Sequence, residues 1–338
     1  MQGSRMKSDR RSLLCAGLAT SGLLSGKLSA QMPPPGSGGI LPLGLPQPVE
    51  TIELWPSGAP GMPSSPPKEV TTERSRDTLV TDRAALGIAA PRLVVFRPDR
   101  PSGAAVLLTP GGGYNHVVVD KEGYEMGRWL SDRGFTAFVL FYRLPYDRWE
   151  AGADVSLADA QRAMRVIRHR AGDYEVEPER VAAMGFSAGG HLCADLSTRF
   201  GSPVYPAQDE ADLLSAKPFC AAPIYPLISM SEPFAHLGSR ERLLGANPPS
   251  SLEAAHSPDR NVPADAPPFF IVHAEDDDVV PVENSLLLRA ALKRQGAAVE
   301  THLFQHSGHG FGLRKTTGKP FEAWPDLWRE WAQSVSFA

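Results

Sequence analysis

Short continuous apolar runs alternate with amphipathic stretches along most of this chain. Arg92–Phe96 and Ala104–Leu108 are brief runs closed by turn residues, as strands buried on both faces should be. Thr136–Tyr142, the run opening at Val181, Phe219–Ile224 and Pro268–His273 repeat the pattern, and a strand at Val299–Phe304 completes the alternation. Between them the spacing predicts helices over Lys121–Asp132, with Gly134 as its stop, over Val155–Ala171 and over Ser285–Gln295. In the second of these, Leu157, Ala160, Met164 and Ile167 fall on one face. Alternating strands and helices, with strands apolar throughout, predict an α/β fold: a mostly parallel central sheet covered by helices on both faces. Near the end, Trp324, Leu327, Trp328 and Trp331 share one helix face, which favours a helix packed on the sheet over a sugar-stacking stripe.

Three stretches break the alternation. Residues 31–75 are a Pro- and Gly-rich lead, densest at Met32–Gly39 and Pro56–Pro67, with little regular structure expected beyond an edge strand at Thr51–Trp55. The main domain is expected over residues 76–338. Within it, residues 200–218 and 226–263 are polar, proline-containing and weakly helical. Insertions at the C-terminal ends of strands usually shape a substrate cleft.

Composition changes this picture mainly at the N-terminus. With 42% apolar and 21% charged residues among 338, the chain has an ordinary soluble composition. Arg5, Lys7, Arg10 and Arg11 precede an uncharged stretch, Ser12–Gly26, and Leu28-Ser29-Ala30 follows. This is the pattern of a signal peptide over residues 1–30, so an exported, periplasmic or secreted protein is expected, with Arg10-Arg11 resembling a twin-arginine signal. The run is too short and too glycine-rich to span a bilayer, so no stable membrane insertion is expected after processing. Residues 1–30 carry five basic residues against Asp9, a net +4, so the mature chain would carry −4 − 4 = −8. An acidic chain without a basic stripe is not expected to bind nucleic acid. Cys193 and Cys220 read as two buried thiols rather than a bridge, and no metal-ligand spacing occurs, so neither metal nor cofactor is expected.

The candidate chemistry centres on Gly185-Phe186-Ser187-Ala188-Gly189, a G-x-S-x-G nucleophile elbow that closes a predicted strand and opens a helix. A serine hydroxyl needs a base to take its proton and a carboxylate to orient that base, and in α/β-hydrolases the chain order is Ser, acid, His. Both partners follow in that order. His273-Ala274-Glu275-Asp276-Asp277-Asp278-Val279-Val280-Pro281 follows one strand and resembles a hydrolase pattern that places the acid at Asp277, with Asp276 and Asp278 as alternatives. His309 lies between glycines after the last strand and is the expected base, ahead of His306. His273 reads as a buried strand histidine, and His191 as packing at the start of the elbow helix.

Thr109-Pro110-Gly111-Gly112-Gly113-Tyr114 closes another strand, and a glycine loop there can bring amides close to a developing oxyanion. Gly112, Gly113 and Ala188 are the expected oxyanion donors, with Tyr114 and His116 as expected substrate contacts. No Lys-Ser/Thr follows the glycines, which argues against a phosphate loop.

Pro110-Gly111-Gly112-Gly113-Tyr114, Lys121-Glu122-Gly123, Tyr142-Arg143-Leu144, Asp159–Ala163, Gly185–His191 and Tyr225-Pro226 occur in an order that resembles the bacterial α/β-hydrolase esterases related to acetyl xylan esterases, the feruloyl-esterase-like (BD-FAE-like) branch. The likeness spans about residues 50–335. It implies a serine esterase that removes acetyl groups from hemicellulose-type carbohydrates or their oligomers through an acyl-enzyme. Asp159, Arg162, Glu122 and Arg143 read as structural ion-pairing groups. A general small-acyl carboxylesterase, a peptidase of the same fold and a non-catalytic binding protein are the other readings.

Overall fold

The computed structural model describes residues 48–77 and 80–338. The expected signal peptide, residues 1–30, and the first part of the lead lie outside the described residues.

Eleven strands and seven α-helices follow one another along the described chain. First come β1 (Pro48–Glu53), β2 (Val70–Glu73), β3 (Arg83–Leu86), β4 (Arg92–Phe96), β5 (Ala105–Thr109), β6 (Val117–Val118), α1 (Glu125–Ser131), β7 (Thr136–Phe141) and α2 (Val155–His169). Then come β8 (Val181–Phe186), α3 (Ala188–Thr198), β9 (Ala221–Ile224), α4 (Leu237–Leu244), α5 (Ser250–Ala255), β10 (Phe269–Ala274), α6 (Glu283–Arg294), β11 (Val299–Phe304) and α7 (Trp324–Ser334). Eight strands form the central sheet in the order β1-β4-β7-β5-β8-β9-β10-β11, while β2, β3 and β6 form a small second sheet. β1 and β4 run antiparallel to their neighbours, and from β7 to β11 every pairing is parallel.

Every residue of β5, β7, β8 and β10 is buried, which is why these strands read as unbroken apolar runs. β11 lies at the sheet edge and is only partly covered. Parallel pairing brings Thr109 level with Gly185, Phe186 with Ile224, and Ala274 with Phe304. The loops leaving β5, β8, β9, β10 and β11 therefore open on one edge of the sheet, where open α/β sheets bind ligands.

One helix differs from the sequence pattern. The helix expected from Lys121 begins as a π-helical turn, Asp120–Tyr124, before α1 takes over. Asp120 is held by the backbone and guanidinium of Arg83, and Glu122 points inward to the Gly111 amide, so this widened turn serves tertiary partners. The edge strand expected near Thr51–Trp55 in the lead is β1, which starts at Pro48 and pairs with β4 along the sheet edge.

A buried polar cluster then fastens the lead. The guanidinium of Arg143 donates to Asp159 at 2.8 and 3.0 Å, and the indole of Trp55 donates to the same carboxylate at 2.7 Å. The rings of Trp55 and Trp149 lie 5.3 and 4.7 Å from that guanidinium. Arg162 donates to the Leu54 carbonyl and pairs with Asp209 and Asp212 of the 200–218 insertion. Asp159 and Arg162, neighbours on α2, thus serve different partners.

At the far end, Trp324, Trp328 and Trp331 of α7 are buried, with Leu327 packed at the margin. Cys193 and Cys220 are free, and burial pushes both thiols above their usual range. Among the described residues, no helix is long and apolar enough to cross a membrane, and no group of three or more His, Cys, Asp or Glu is placed to hold a metal ion.

Candidate active site

Ser187 stands at the junction of β8 and α3 with φ 53° and ψ −120°, a backbone state that L-residues rarely adopt. It is held there by donating its N–H to the Ile224 carbonyl at 3.0 Å, while its own carbonyl accepts from His191 and Leu227. The flanking glycines are needed for proximity. A Cβ on Gly189 would lie 2.0 Å from the Thr109 carbonyl oxygen, and one on Gly185 would lie 2.1 Å from the Gly189 carbonyl oxygen.

The β10 and β11 loops bring the other two groups. His309 Nε2 lies 2.8 Å from Ser187 Oγ, and its Nδ1 lies 2.7 Å from Asp277 Oδ2. Burial pushes the Asp277 carboxyl up, but hydrogen bonds from His273, His309 and the Val280 amide outweigh this and hold it well below the usual carboxylate range. An ionised Asp277 can only accept, so His309 carries its proton on Nδ1 and presents Nε2 as an acceptor to the serine hydroxyl. Asp277 therefore stabilises the fold above its unfolded-state pKa of about 3.9, and that contribution is lost only as the pH falls through its depressed folded value.

The structure also separates Asp276 from Asp277. Asp277 Oδ1 accepts the amides of Val279 and Val280, and Oδ2 takes the two histidines. Asp276 instead accepts the amides of Ser307 and Gly308 at 2.9 and 2.8 Å, clipping the His309 loop to the β10 loop. His306 is mostly exposed and meets Asp276, not Ser187.

His273 does more than fill the core. Its Nε2 is shared between Asp277 Oδ2 and the Val280 carbonyl, both at 3.1 Å, and its Nδ1 meets the Ser285 hydroxyl at 2.7 Å. A histidine four residues before the acid, on the same strand end, was the available signal for this role.

The glycine loop after β5 lies against the elbow. A Cβ on Gly111 would sit 3.0 Å from Ser187 Cβ, and Gly112 and Gly113 take positive φ values of 131° and 64°. Gly111 donates to Glu122, so its amide is already committed.

The expected substrate contacts of Tyr114 and His116 need correction. Tyr114 is buried, and its hydroxyl meets His191 Nδ1 at 2.6 Å, while His191 Nε2 donates to the His256 carbonyl at 2.7 Å. Tyr114 therefore ties the glycine loop to α3 rather than facing the cleft. His116 receives an Arg74 N–H on Nε2 at 3.0 Å, with Asn115 beside Nδ1. Burial and the Arg74 charge lower its pKa to about 4. Both rings brace the loop through these partners.

The 226–263 insertion covers this edge. Asn284 accepts the amides of Ile228 and Ser229 and donates to the Phe234 carbonyl, fixing the start of the insertion to α6. Ser239 is buried near Gly113, with its hydroxyl 3.4 Å from where a Cβ on that glycine would stand.

A serine at a strained strand-to-helix turn, joined in one hydrogen-bonded line to an imidazole and a buried carboxylate on the C-terminal edge of a parallel sheet, places the chain among the α/β-hydrolases. Within that class it belongs to the BD-FAE family, which matches residues 95–292 and so includes Ser187 and Asp277. It is 34% identical to an acetylxylan esterase of Xylanibacter ruminicola over 66% of this chain and 44% of that protein. The chain thus spans less than half the length of that relative. The acetyl ester-xyloside bifunctional hydrolase of Caldicellulosiruptor lactoaceticus is similar in structure, with a TM-score of 0.72 and 34% identity over 87% of this chain and 99% of that one. Esterase 2 of Thermogutta terrifontis, solved with butyrate bound, gives 0.58 and 26% over 73% and 90%.

Proposed function

We propose that this protein is a serine carboxylic ester hydrolase that removes acetyl groups from hemicellulose-type carbohydrates through an acyl-enzyme. The unbroken Ser187–His309–Asp277 line carries the reading. Ser187 Oγ attacks the ester carbonyl carbon as its proton passes to His309 Nε2, and Asp277 stabilises the imidazolium. The amides of Gly112, Gly113 and Ala188 then stabilise the tetrahedral oxyanion. As the carbon–oxygen bond to the alcohol breaks, the leaving oxygen takes the proton from His309. Water, deprotonated by the same Nε2, attacks the acetyl-serine, and acetate departs as the serine regains its proton.

The names of the relatives support acetyl esters as substrates: one is an acetylxylan esterase and another an acetyl ester-xyloside hydrolase. The insertion over the cleft edge supports a restricted acyl site. Acetate release from acetylated xylo-oligosaccharides should therefore proceed readily, while hydrolysis of aryl esters should fall at least ~10-fold in kcat/KM from acetate to octanoate. Fast aryl-ester turnover without sugar deacetylation would reduce the reading to a general small-acyl carboxylesterase. Peptide turnover with negligible acetyl-ester turnover would replace it altogether.

A further inference from the structure

Glu122 lies on the π-helical turn before α1 and is 2% exposed, yet the reaction just described does not use it. Its two carboxylate oxygens face two different catalytic loops. Oε2 accepts the amide of Gly111 at 2.9 Å, and Oε1 accepts the hydroxyl of Tyr225 at 3.1 Å. That hydroxyl in turn accepts the amide of Gly312, three residues beyond His309, at 3.2 Å. The ring of Tyr225 also stands edge-on to the imidazole of His309, with centroids 5.1 Å apart.

The spacing around Gly111 is tight. A Cβ on Gly111 would lie 2.7 Å from Glu122 Oε2 on one side and 3.0 Å from Ser187 Cβ on the other, so this residue is wedged between the carboxylate and the nucleophile. Fixing the Gly111 amide fixes the Pro110–Gly111 peptide plane, one residue before Gly112, the first expected oxyanion donor. Fixing Tyr225 fixes both the ring against which His309 rests and the backbone that follows it. Few side chains can accept two hydrogen bonds in opposite directions while buried; a carboxylate can, because it has two oxygens and no donor. The ammonium of Lys121, 3.9 Å from Oε1, offsets part of the cost of burying the charge.

We propose that Glu122 is a positioning residue that sets the distance between the oxyanion loop and the histidine loop, acting through Gly111 on one side and Tyr225 on the other. The inference rests on the serine-hydrolase reading, because both loops matter only if the oxyanion and the imidazolium form between them. Its effect belongs to the transition state. Ground-state substrate binding does not need the two loops in strict register, whereas simultaneous proton transfer and oxyanion capture do.

The test compares wild type, Glu122→Gln, Tyr225→Phe and the double variant with an aryl acetate, each rate divided by the folded fraction from thermal melts. Glutamine keeps the size but replaces one acceptor with a donor. Phenylalanine keeps the ring beside His309 and removes only the hydroxyl. Each single variant should lose 10- to 100-fold in kcat with KM within about threefold, and the double variant should lose little more than the worse single, because both break one link. Inhibition by a trifluoromethyl ketone, which forms a tetrahedral adduct on the serine, should weaken in step with kcat. Should Glu122→Gln not fold, Tyr225→Phe decides alone. Full kcat in Tyr225→Phe, or a loss confined to KM or to the melting temperature, would overturn the inference. An inactive wild type would instead count against the hydrolase reading itself.

Discussion

Replacing Ser187 with alanine should lower kcat for acetyl esters by about 10^6-fold while leaving the fold and KM nearly unchanged. The hydroxyl is small and contributes little to the core, so its removal costs little stability. In the proposed reaction it is nevertheless the atom that forms the new bond, and it donates to His309 Nε2 at 2.8 Å. Alanine also relieves nothing at the backbone: φ 53° and ψ −120° are imposed by the Ile224 carbonyl and by the packing of glycines behind the turn. Steady-state kinetics with an aryl acetate, alongside circular dichroism, provides the check. A loss of only a few fold would mean that another group supplies the nucleophile.

The second large effect discriminates between neighbours. Asp277→Asn should cost about 10^4-fold in kcat, because the amide can no longer hold the Nδ1–H tautomer of His309. It would also present a donor to His273, which already shares its Nε2–H between Asp277 and the Val280 carbonyl. Asp276→Asn retains an oxygen acceptor and faces only the amides of Ser307 and Gly308 and the exposed His306. It should cost less than about tenfold. Kinetics of the two variants under one set of conditions measures the contrast, and a reversal of their order would move the acid to Asp276.

Much of this was legible in the chain because burial on both faces forces strands to be continuously apolar. β4 and β10 coincide with apolar runs, and Trp324, Trp328 and Trp331 pack as their spacing requires. Gly185, Ser187 and Gly189 stand out for a similar reason: the turn leaves no room for side chains beside the serine. The order of Ser187, Asp277 and His309 is readable because sheet topology delivers the three loops to one edge in that sequence.

What escaped notice depends on partners distant in sequence. Tyr114 looks like a cleft residue until His191, 77 positions later, is seen to occupy its hydroxyl. Glu122 reads as a structural ion-pairing group, and only the return of the chain at Tyr225 shows which groups it accepts. The motif favours Asp277 but leaves Asp276 open, and only the fold shows that Asp276 faces the Ser307 and Gly308 amides while Asp277 faces His309. The π-helical turn at Asp120–Tyr124 carries no local signature because Arg83 and Gly111 impose it from outside.

Covalent labelling tests the central claim most directly. Wild-type protein incubated with a fluorophosphonate should gain the mass of one phosphonyl group and lose esterase activity in proportion, with the modified peptide mapping to Ser187. Labelling should vanish in Ser187→Ala. An active protein that takes up no label, or that takes it up at another residue, would contradict the account.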